Sequence, residues 1–440
     1  MQRIVINQLG PISHCEMEIK DFLVLTGPQA SGKSTIAKSV FFFKNVKNLL
    51  YRQIRKRFTL GELRINGSVG DFAEKKLKKE IYANFQQVFG PIWSMDPSMH
   101  LEYYYTEKIF IGISLISHED SPNDMAIVLS PDLQAFLLLL DRSMEGRIGL
   151  SPFSELEEIR GRIQTFFEDD AEIVYIPAGR SMITLLGVQL NYIYSSMDDA
   201  QKRNLDYCTQ NYLERILQIK PSFSVGMEQL VRDTMSLSDV KADEKIIRAA
   251  MKLMKKILEG EYRSIEGEER LQVSEDQYVK INFASSGQQE AVWILNVLFY
   301  YLLNSRKTYF IIEEPESHLF PNAQKLMTEF IALAQCNQNQ ILITTHSPYI
   351  LGTINNLLYA GRISRFVDKK ELEEIVEEKK WILFSNLEAF FMEDGQIKSC
   401  TDEEAETIKN EVIDGASEKI NQDFDRMVLL KERTLERKEI

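Results

Sequence analysis

"FLVLTGPQASGKST", residues 22–35, decides the fold. The apolar run Phe22–Leu25 reads as a buried strand. Gly27-Pro28-Gln29-Ala30-Ser31-Gly32-Lys33-Ser34 then follows the pattern G-x-x-x-x-G-K-[ST], and "TIAKSVFFF" from Thr35 reads as a helix. Strand, glycine loop and helix in that order give the pattern its meaning, and a chance glycine-rich turn would not need them. Glycines let the backbone wrap a chain of phosphates, successive N–H groups and the helix N-terminus supply positive potential, and Lys33 adds a point charge between the β- and γ-phosphates. Ser34 is the magnesium ligand the pattern provides. The expectation is an α/β P-loop NTPase that binds ATP and Mg2+ along Gly27–Thr35.

Upstream, Ile4–Ile6 and Glu16–Ile19 read as strands parted from each other and from Phe22–Leu25 by Gly10-Pro11 and Asp21. The next signal lies nearly 280 residues further on. "YFIIEEPESHLF", residues 309–320, is an apolar strand that ends in glutamates. A solvated acidic turn would look the same. Beside a phosphate loop, however, a second strand ending next to the first presents a carboxylate to the magnesium shell. Glu313 is then expected at the metal, directly or through water, and Glu314 as the base that activates the attacking water. A third strand, Ile341–Thr344 in "NQILITTHSPYIL", ends at His346, which is placed to contact the γ-phosphate. A lone histidine is more often a core or surface residue, and its place after a core strand is what favours function. Finally, Ser285-Ser286-Gly287-Gln288 opens the apolar helix of "INFASSGQQEAVWILNVLFYYLL". It offers hydroxyls, a flexible backbone and a helix N-terminus suited to phosphate. Ser286 as a simple helix cap is compatible with that role.

The chain of 440 residues carries a formal charge of −13, from 65 acidic and 52 basic residues, which counts against a surface coated for phosphate backbones. "RQIRKR" at 52–57 and "KKLKK" at 75–79 are local exceptions. Solvated helix faces produce such clusters routinely. Cysteines at 15, 208, 336 and 400 are too dispersed for a metal pair or a disulfide framework. No apolar run reaches membrane-spanning length and no signal peptide is read at the start, so the expected location is cytoplasmic with no membrane partner.

The four motifs, in this order, resemble the ABC-type ATPase head shared by structural-maintenance-of-chromosomes and recombination-repair proteins, and more closely the overcoming-lysogenization-defect (OLD) family. "IEEPESHLFP" is similar to that family's Walker B and D-loop, with Glu313 where many relatives carry aspartate; "SSGQ" resembles its signature with Ser286 in place of glycine, and Gln29 stands for asparagine. The resemblance implies a head at 1–182 and 263–400 with a peripheral insert at about 41–170, a helical arm at 183–262, and a charged helical tail at 401–440. It also implies that Ser285 and Gly287 act across a head-to-head dimer or higher homo-oligomer held by ATP. Arg180, in "EIVYIPAGRSMITLL", has three readings of equal standing: reaching the nucleotide, the hinge of the arm, or a structural ion pair. The Asp394-Gly395 turn is expected to close a hairpin.

The tail is expected to leave no room for a Toprim nuclease, and a nuclease-free head of this size resembles the ATPase subunits of bacterial anti-phage systems, of the AriA type in PARIS and the PtuA type in Septu and retron systems. That resemblance implies a separate effector protein, a nuclease, and a trigger that is DNA or a phage protein. The alternative is a chromosome-maintenance or recombination ATPase that works on DNA directly.

Overall fold

A computed structural model describes residues 1–60, 72–116, 124–144, 152–185, 192, 196–198, 206–236, 242–336, 338–409, 421–422 and 424–427. Sixteen strands are numbered here along the described chain: Arg3–Leu9 (β1), Ile12–Glu18 (β2), Phe22–Thr26 (β3), His100–Tyr104 (β4), Phe110–Ile116 (β5), Asp124–Leu129 (β6), Glu172–Ile176 (β7), Glu261–Ile265 (β8), Glu268–Gln272 (β9), Tyr278–Lys280 (β10), Thr308–Glu313 (β11), Gln340–Thr345 (β12), Leu387–Glu393 (β13), Gln396–Ser399 (β14), Thr401–Asp402 (β15) and Thr407–Ile408 (β16). Eleven form one sheet in the order β6-β5-β4-β1-β2-β14-β13-β3-β12-β11-β7. From β13 to β7 neighbouring strands are parallel.

Alternation along these strands explains why both faces are covered. Leu23 and Leu25 of β3, Tyr309 and Ile311 of β11, and Ile173 and Tyr175 of β7 enter one hydrophobic core. Their neighbours Phe22, Val24, Phe310, Ile312, Val174 and Ile176 enter a second core on the opposite face. A strand buried on both sides must be apolar at consecutive positions, which is why these runs stand out in the sequence. The phosphate-loop helix Lys33–Lys44 packs in the first core through Phe41, Phe42 and Phe43. Helices Ser286–Leu303, Pro321–Ala334 and Pro348–Ile363 cover the second face.

Two expectations are amended. Strands β4, β5 and β6, from the stretch expected as a peripheral insert, extend the sheet through β1 and share the first core. Within the span expected as a helical arm, the described helices Tyr207–Ile219, Met227–Met235 and Glu244–Leu258 pack in the second core. The expected helical tail begins as the β15–β16 hairpin, tied to Asn355 by two hydrogen bonds. Residues 421–422 and 424–427 are helical, and the remainder of the tail beyond Lys409 lies outside the described residues. The Asp394-Gly395 turn forms as read, with φ of 49° and 73° and β13 paired to β14.

Candidate functional site

Parallel register sets the ends of the strands level. Thr345 of β12 lies opposite Thr26 of β3, and Glu313 of β11 opposite Thr344 of β12. The carboxylate strand is therefore not the immediate neighbour of the phosphate-loop strand, as the sequence reading had it. Strand β12 lies between them and brings its own polar end, Thr344-Thr345-His346, into the centre of the crevice.

At the phosphate loop, Gly27, Ala30 and Gly32 have φ of 140°, 62° and 103°. The loop is thus built from left-handed positions that bend it sharply over the helix that follows. A Cβ on Gly27 would stand 2.3 Å from the carbonyl oxygen of Met392, so only glycine fits against β13. Lys33 is buried and its Nζ donates to the carbonyls of Gly27 at 2.9 Å and Pro28 at 2.7 Å. Burial pushes this ammonium below the ordinary lysine range, against the pull of Glu314 and Glu316. Ser34 and Gln29 are exposed and Thr35 is half-buried at the mouth of the crevice.

The glutamates of β11 occupy three different environments. Glu313 is buried; its Oε2 accepts from the backbone N–H of Ala178 at 3.1 Å, and its Oε1 has no hydrogen-bond partner. The Tyr175 phenol is pushed well above its usual range by its burial and then by the charge of Glu313. Glu314 has φ of 43° and its N–H donates to the carbonyl of Thr344 at 2.9 Å. Its side chain turns toward the crevice, with Oε1 3.9 Å from Nδ1 of His346 and Oε2 accepting from Ser317 at 3.5 Å. Glu316, to which the sequence suggested no task, is buried; its Oε1 accepts from the Thr345 hydroxyl at 2.7 Å and the N–H of His346 at 2.9 Å, and its Oε2 is unpartnered.

The donor set fits a hard cation held in part by phosphate oxygens. A buried, unpartnered carboxylate oxygen on Glu313 and the Ser34 hydroxyl are what a magnesium ion uses when most of its shell is water and phosphate. Among the described residues no group of three or more His, Cys, Asp or Glu is arranged as an all-protein metal cage.

At Ser285–Gln288 the cap is Ser285, not Ser286. The Ser285 hydroxyl accepts from the Gln288 N–H at 3.3 Å and the Gln288 side chain accepts from the Ser285 N–H at 2.9 Å, a reciprocal capping box. Gln288 also donates to the carbonyl of Leu258, so its amide is engaged within the subunit. A Cβ on Gly287 would meet the carbonyl oxygen of His318 at 2.7 Å, which places the head of this helix directly on the turn after Glu316. Ser285 and Ser286 remain exposed. Arg180 is a buried ion-pair partner of Glu290.

The basic clusters meet on the neighbouring helices Val46–Leu60 and Phe72–Phe89, where the Gln53 amide donates to the carbonyl of Lys76. Arg52 is turned to the Tyr207 hydroxyl and Lys78 is paired with Glu74. A cavity of about 720 Å3 lined by Asp21, Asp169, Lys307 and Asn339 lies at the opposite, N-terminal ends of the parallel strands, away from all of these groups.

Residues 154–351 match the family model described as the AAA ATPase domain, a span that includes β7, the Ser286–Leu303 helix, β11 and β12 and stops short of the phosphate loop. The chain is an ATPase with the P-loop NTPase fold. No curated protein matches it. Among solved structures it is similar to an SMC head bound to the C-winged helix domain of ScpA, at 12% identity over 92% of this chain and 98% of that one, with a TM-score of 0.41. It is also similar to the SMC head domain from Thermotoga maritima, at 12% identity over 90% and 97%, TM-score 0.34. A third is the Pyrococcus furiosus Smc head with an extended coiled coil bound to the C-terminal domain of ScpA, at 10% identity over 96% and 100%, TM-score 0.40. No helix among the described residues is long and apolar enough to cross a membrane.

Proposed function

We propose that this ATPase is the nucleotide-gated subunit of an anti-phage defence complex, in which two copies close over ATP and the state of that dimer holds or releases a separate effector nuclease. The observation that carries the dimer is a set of exposed aromatic side chains beside the motifs. Phe283, 81% exposed, stands two residues before Ser285; Phe320, 78% exposed, follows the turn that Gly287 touches; Tyr349, 53% exposed, follows His346 and Ser347. Exposed aromatics gathered around a polar crevice fit a face that a second subunit covers. The effector and its trigger, DNA or a phage protein, rest on the resemblance of "IEEPESHLFP" and "SSGQ" to the OLD-like subunits of such systems.

Within one subunit the loop Gly27–Thr35 wraps the phosphates and Lys33 leaves its carbonyl partners to neutralise them. Glu313 and Ser34 would hold magnesium, which would supply positive charge to the phosphates. Glu314 takes the proton of the attacking water, and His346 reports the γ-phosphate through a donor beside that base. Ser285, Ser286 and the backbone at Gly287 and Gln288 supply phosphate contacts from the partner subunit. ATP then joins the two faces, and hydrolysis releases them.

The test is sedimentation of the purified Glu314→Gln protein with and without ATP and magnesium, followed by co-expression with the product of the neighbouring reading frame. An ATP-dependent dimer that retains a nuclease is expected. A monomer at saturating ATP would overturn the gating. The second reading, direct action on DNA, is favoured by the meeting of the basic clusters around Arg52 and Lys78; salt-dependent duplex binding by the isolated protein would select it.

A further inference from the structure

Arg180 is completely buried, at 0% exposure, and a guanidinium taken out of water needs its donors matched. Its partners come from three elements. Nη1 donates to the carbonyls of Pro177 at 2.6 Å and Glu313 at 2.7 Å, Nη2 to the carbonyl of Glu314 at 2.9 Å, and Nε to the carbonyl of Glu290 at 3.2 Å, with a Glu290 carboxylate oxygen also at 3.2 Å. That carboxylate in turn accepts from the N–H groups of Arg180 at 3.1 Å and Ser181 at 2.8 Å. Alongside, the Thr184 hydroxyl donates to the carbonyl of Gln289 at 2.8 Å.

The carbonyls of Glu313 and Glu314 belong to the peptide planes on either side of the Glu314 Cα. One planar fork therefore holds both planes, and between them sits a glutamate with φ of 43°, a left-handed conformation that a side-chain-bearing residue keeps only where its surroundings enforce it. A simple ion pair with Glu290 would leave these two carbonyls out. Glu290 lies one turn into the helix whose first residues are Ser286 and Gly287.

We propose that Arg180 is a positioning residue that aims the Glu314 side chain at the nucleotide, and that Glu290 makes this aim depend on where the Ser286–Leu303 helix sits. Contact at the head of that helix is thereby passed to the base through one guanidinium. The inference rests on Glu314 being the base, so Glu314→Gln is measured beside every Arg180 variant.

Two variants are used. Arg180→Lys keeps the charge and loses the fork. The pair Arg180→Met with Glu290→Gln removes both charges, so no buried ion is left alone if the lysine variant fails to fold. Thermal melting, ATP affinity and turnover are compared, each also in the Glu314→Gln background. Folded protein with ATP affinity within about threefold of wild type is expected, with turnover at saturating ATP down by roughly 100-fold, the scale of a reacting group displaced by about 1 Å. If Arg180 acts through Glu314, the Arg180 substitution in the Glu314→Gln background costs less than about threefold more. Wild-type turnover in the pair variant, a loss that multiplies undiminished onto Glu314→Gln, or affinity falling as far as turnover would each overturn the inference. Wild-type turnover in Glu314→Gln alone would instead remove the base assignment on which it stands.

Discussion

Glu313 and Glu314 are adjacent in sequence, and substituting each by glutamine should produce two different defects. Glutamine at 314 keeps the size of the side chain and an oxygen for the Ser317 hydroxyl, which approaches at 3.5 Å, and removes only the capacity to take a proton. General-base transfer contributes roughly 100- to 10,000-fold. The His346 ring remains 3.9 Å from the same position as an alternative acceptor, which puts the expected loss of turnover toward the lower end, roughly 100-fold. ATP affinity should stay near wild type. At 313 the amide has one oxygen for two tasks. If it faces the Ala178 N–H, its NH2 group occupies the Oε1 position and cannot ligate a cation; if it is reversed, two donors meet at 3.1 Å. Magnesium-dependent ATP affinity should therefore fall by at least roughly 10-fold, the size that disturbing even outer ligands of a metal produces, while affinity without magnesium changes little. Titration of ATP with and without magnesium, together with turnover at saturating ATP, separates the two. Unchanged turnover in Glu314→Gln, or a Glu313→Gln affinity loss equal in both conditions, refutes the division of roles.

Lys33→Ala should abolish ATP binding or hydrolysis, since the ammonium now held by Gly27 and Pro28 is the loop's one point charge; an undiminished rate would remove the site. Gly27→Ala should cost stability as well as ATP affinity, because its Cβ would lie 2.3 Å from a backbone oxygen that no side-chain change relieves, and a normal melting temperature would show that β13 yields. A mixture of Ser286→Arg and Lys33→Ala proteins, each inactive alone, should recover up to one working site per mixed dimer; no recovery at any ratio, with mixed dimers present, counts against action across subunits. Asp169 is pushed up by burial but held well below the carboxylate range by Lys44 and Lys47, whereas burial dominates at Lys47 and pushes it down to about 8. The carboxylate is thus the member whose charge the fold favours. Its folded pKa is below its unfolded one, so its contribution is present above about pH 4 and is lost as pH falls below that. Asp169→Asn leaves two buried ammonium groups and should cost about 3–5 kcal/mol in denaturant unfolding at neutral pH; a cost below about 1 kcal/mol would contradict the pairing.

Where local chemistry dictates structure, the sequence was legible. Phe22–Thr26, the glycine loop and the Asp394-Gly395 turn each owe their form to residues within the segment, and they appear with nearly the boundaries read. Strand order was not legible, because nothing within Gln340–Thr345 says that it will pair with both β3 and β11. The inclusion of β4–β6 in the sheet likewise depends on β1, nearly 100 residues away, offering a free edge. Ser285 and Ser286 are equivalent as capping residues by composition. Spacing does not separate them either, since Gln288 and Gln289 stand three residues after Ser285 and Ser286 respectively; the Gln289 amide is taken up by the carbonyls of Ile281 and Ala284, and Gln288 completes the box with Ser285. Arg180 was ambiguous because an arginine after a strand has no fixed partner; its five acceptors come from segments up to 134 residues distant.

The position of β12 also explains the third carboxylate. The ladder between β11 and β12 ends where the Glu314 N–H meets the Thr344 carbonyl, so Thr345 and His346 lie beyond it and need a further tie to the turn after β11. Glu316 performs that task with one oxygen, which receives the Thr345 hydroxyl and the His346 N–H together and lies 3.6 Å from the His346 ring. A carboxylate that accepts a backbone N–H and a hydroxyl at once is a stronger tie than a neutral amide would make. The acidic run at residues 313–316 is therefore not a three-fold metal cluster. On the proposed roles, Glu313 faces a cation position and Glu314 points into the crevice beside the histidine, while Glu316 fixes that histidine's backbone, so the separation between Glu314 and His346 is set by a third side chain.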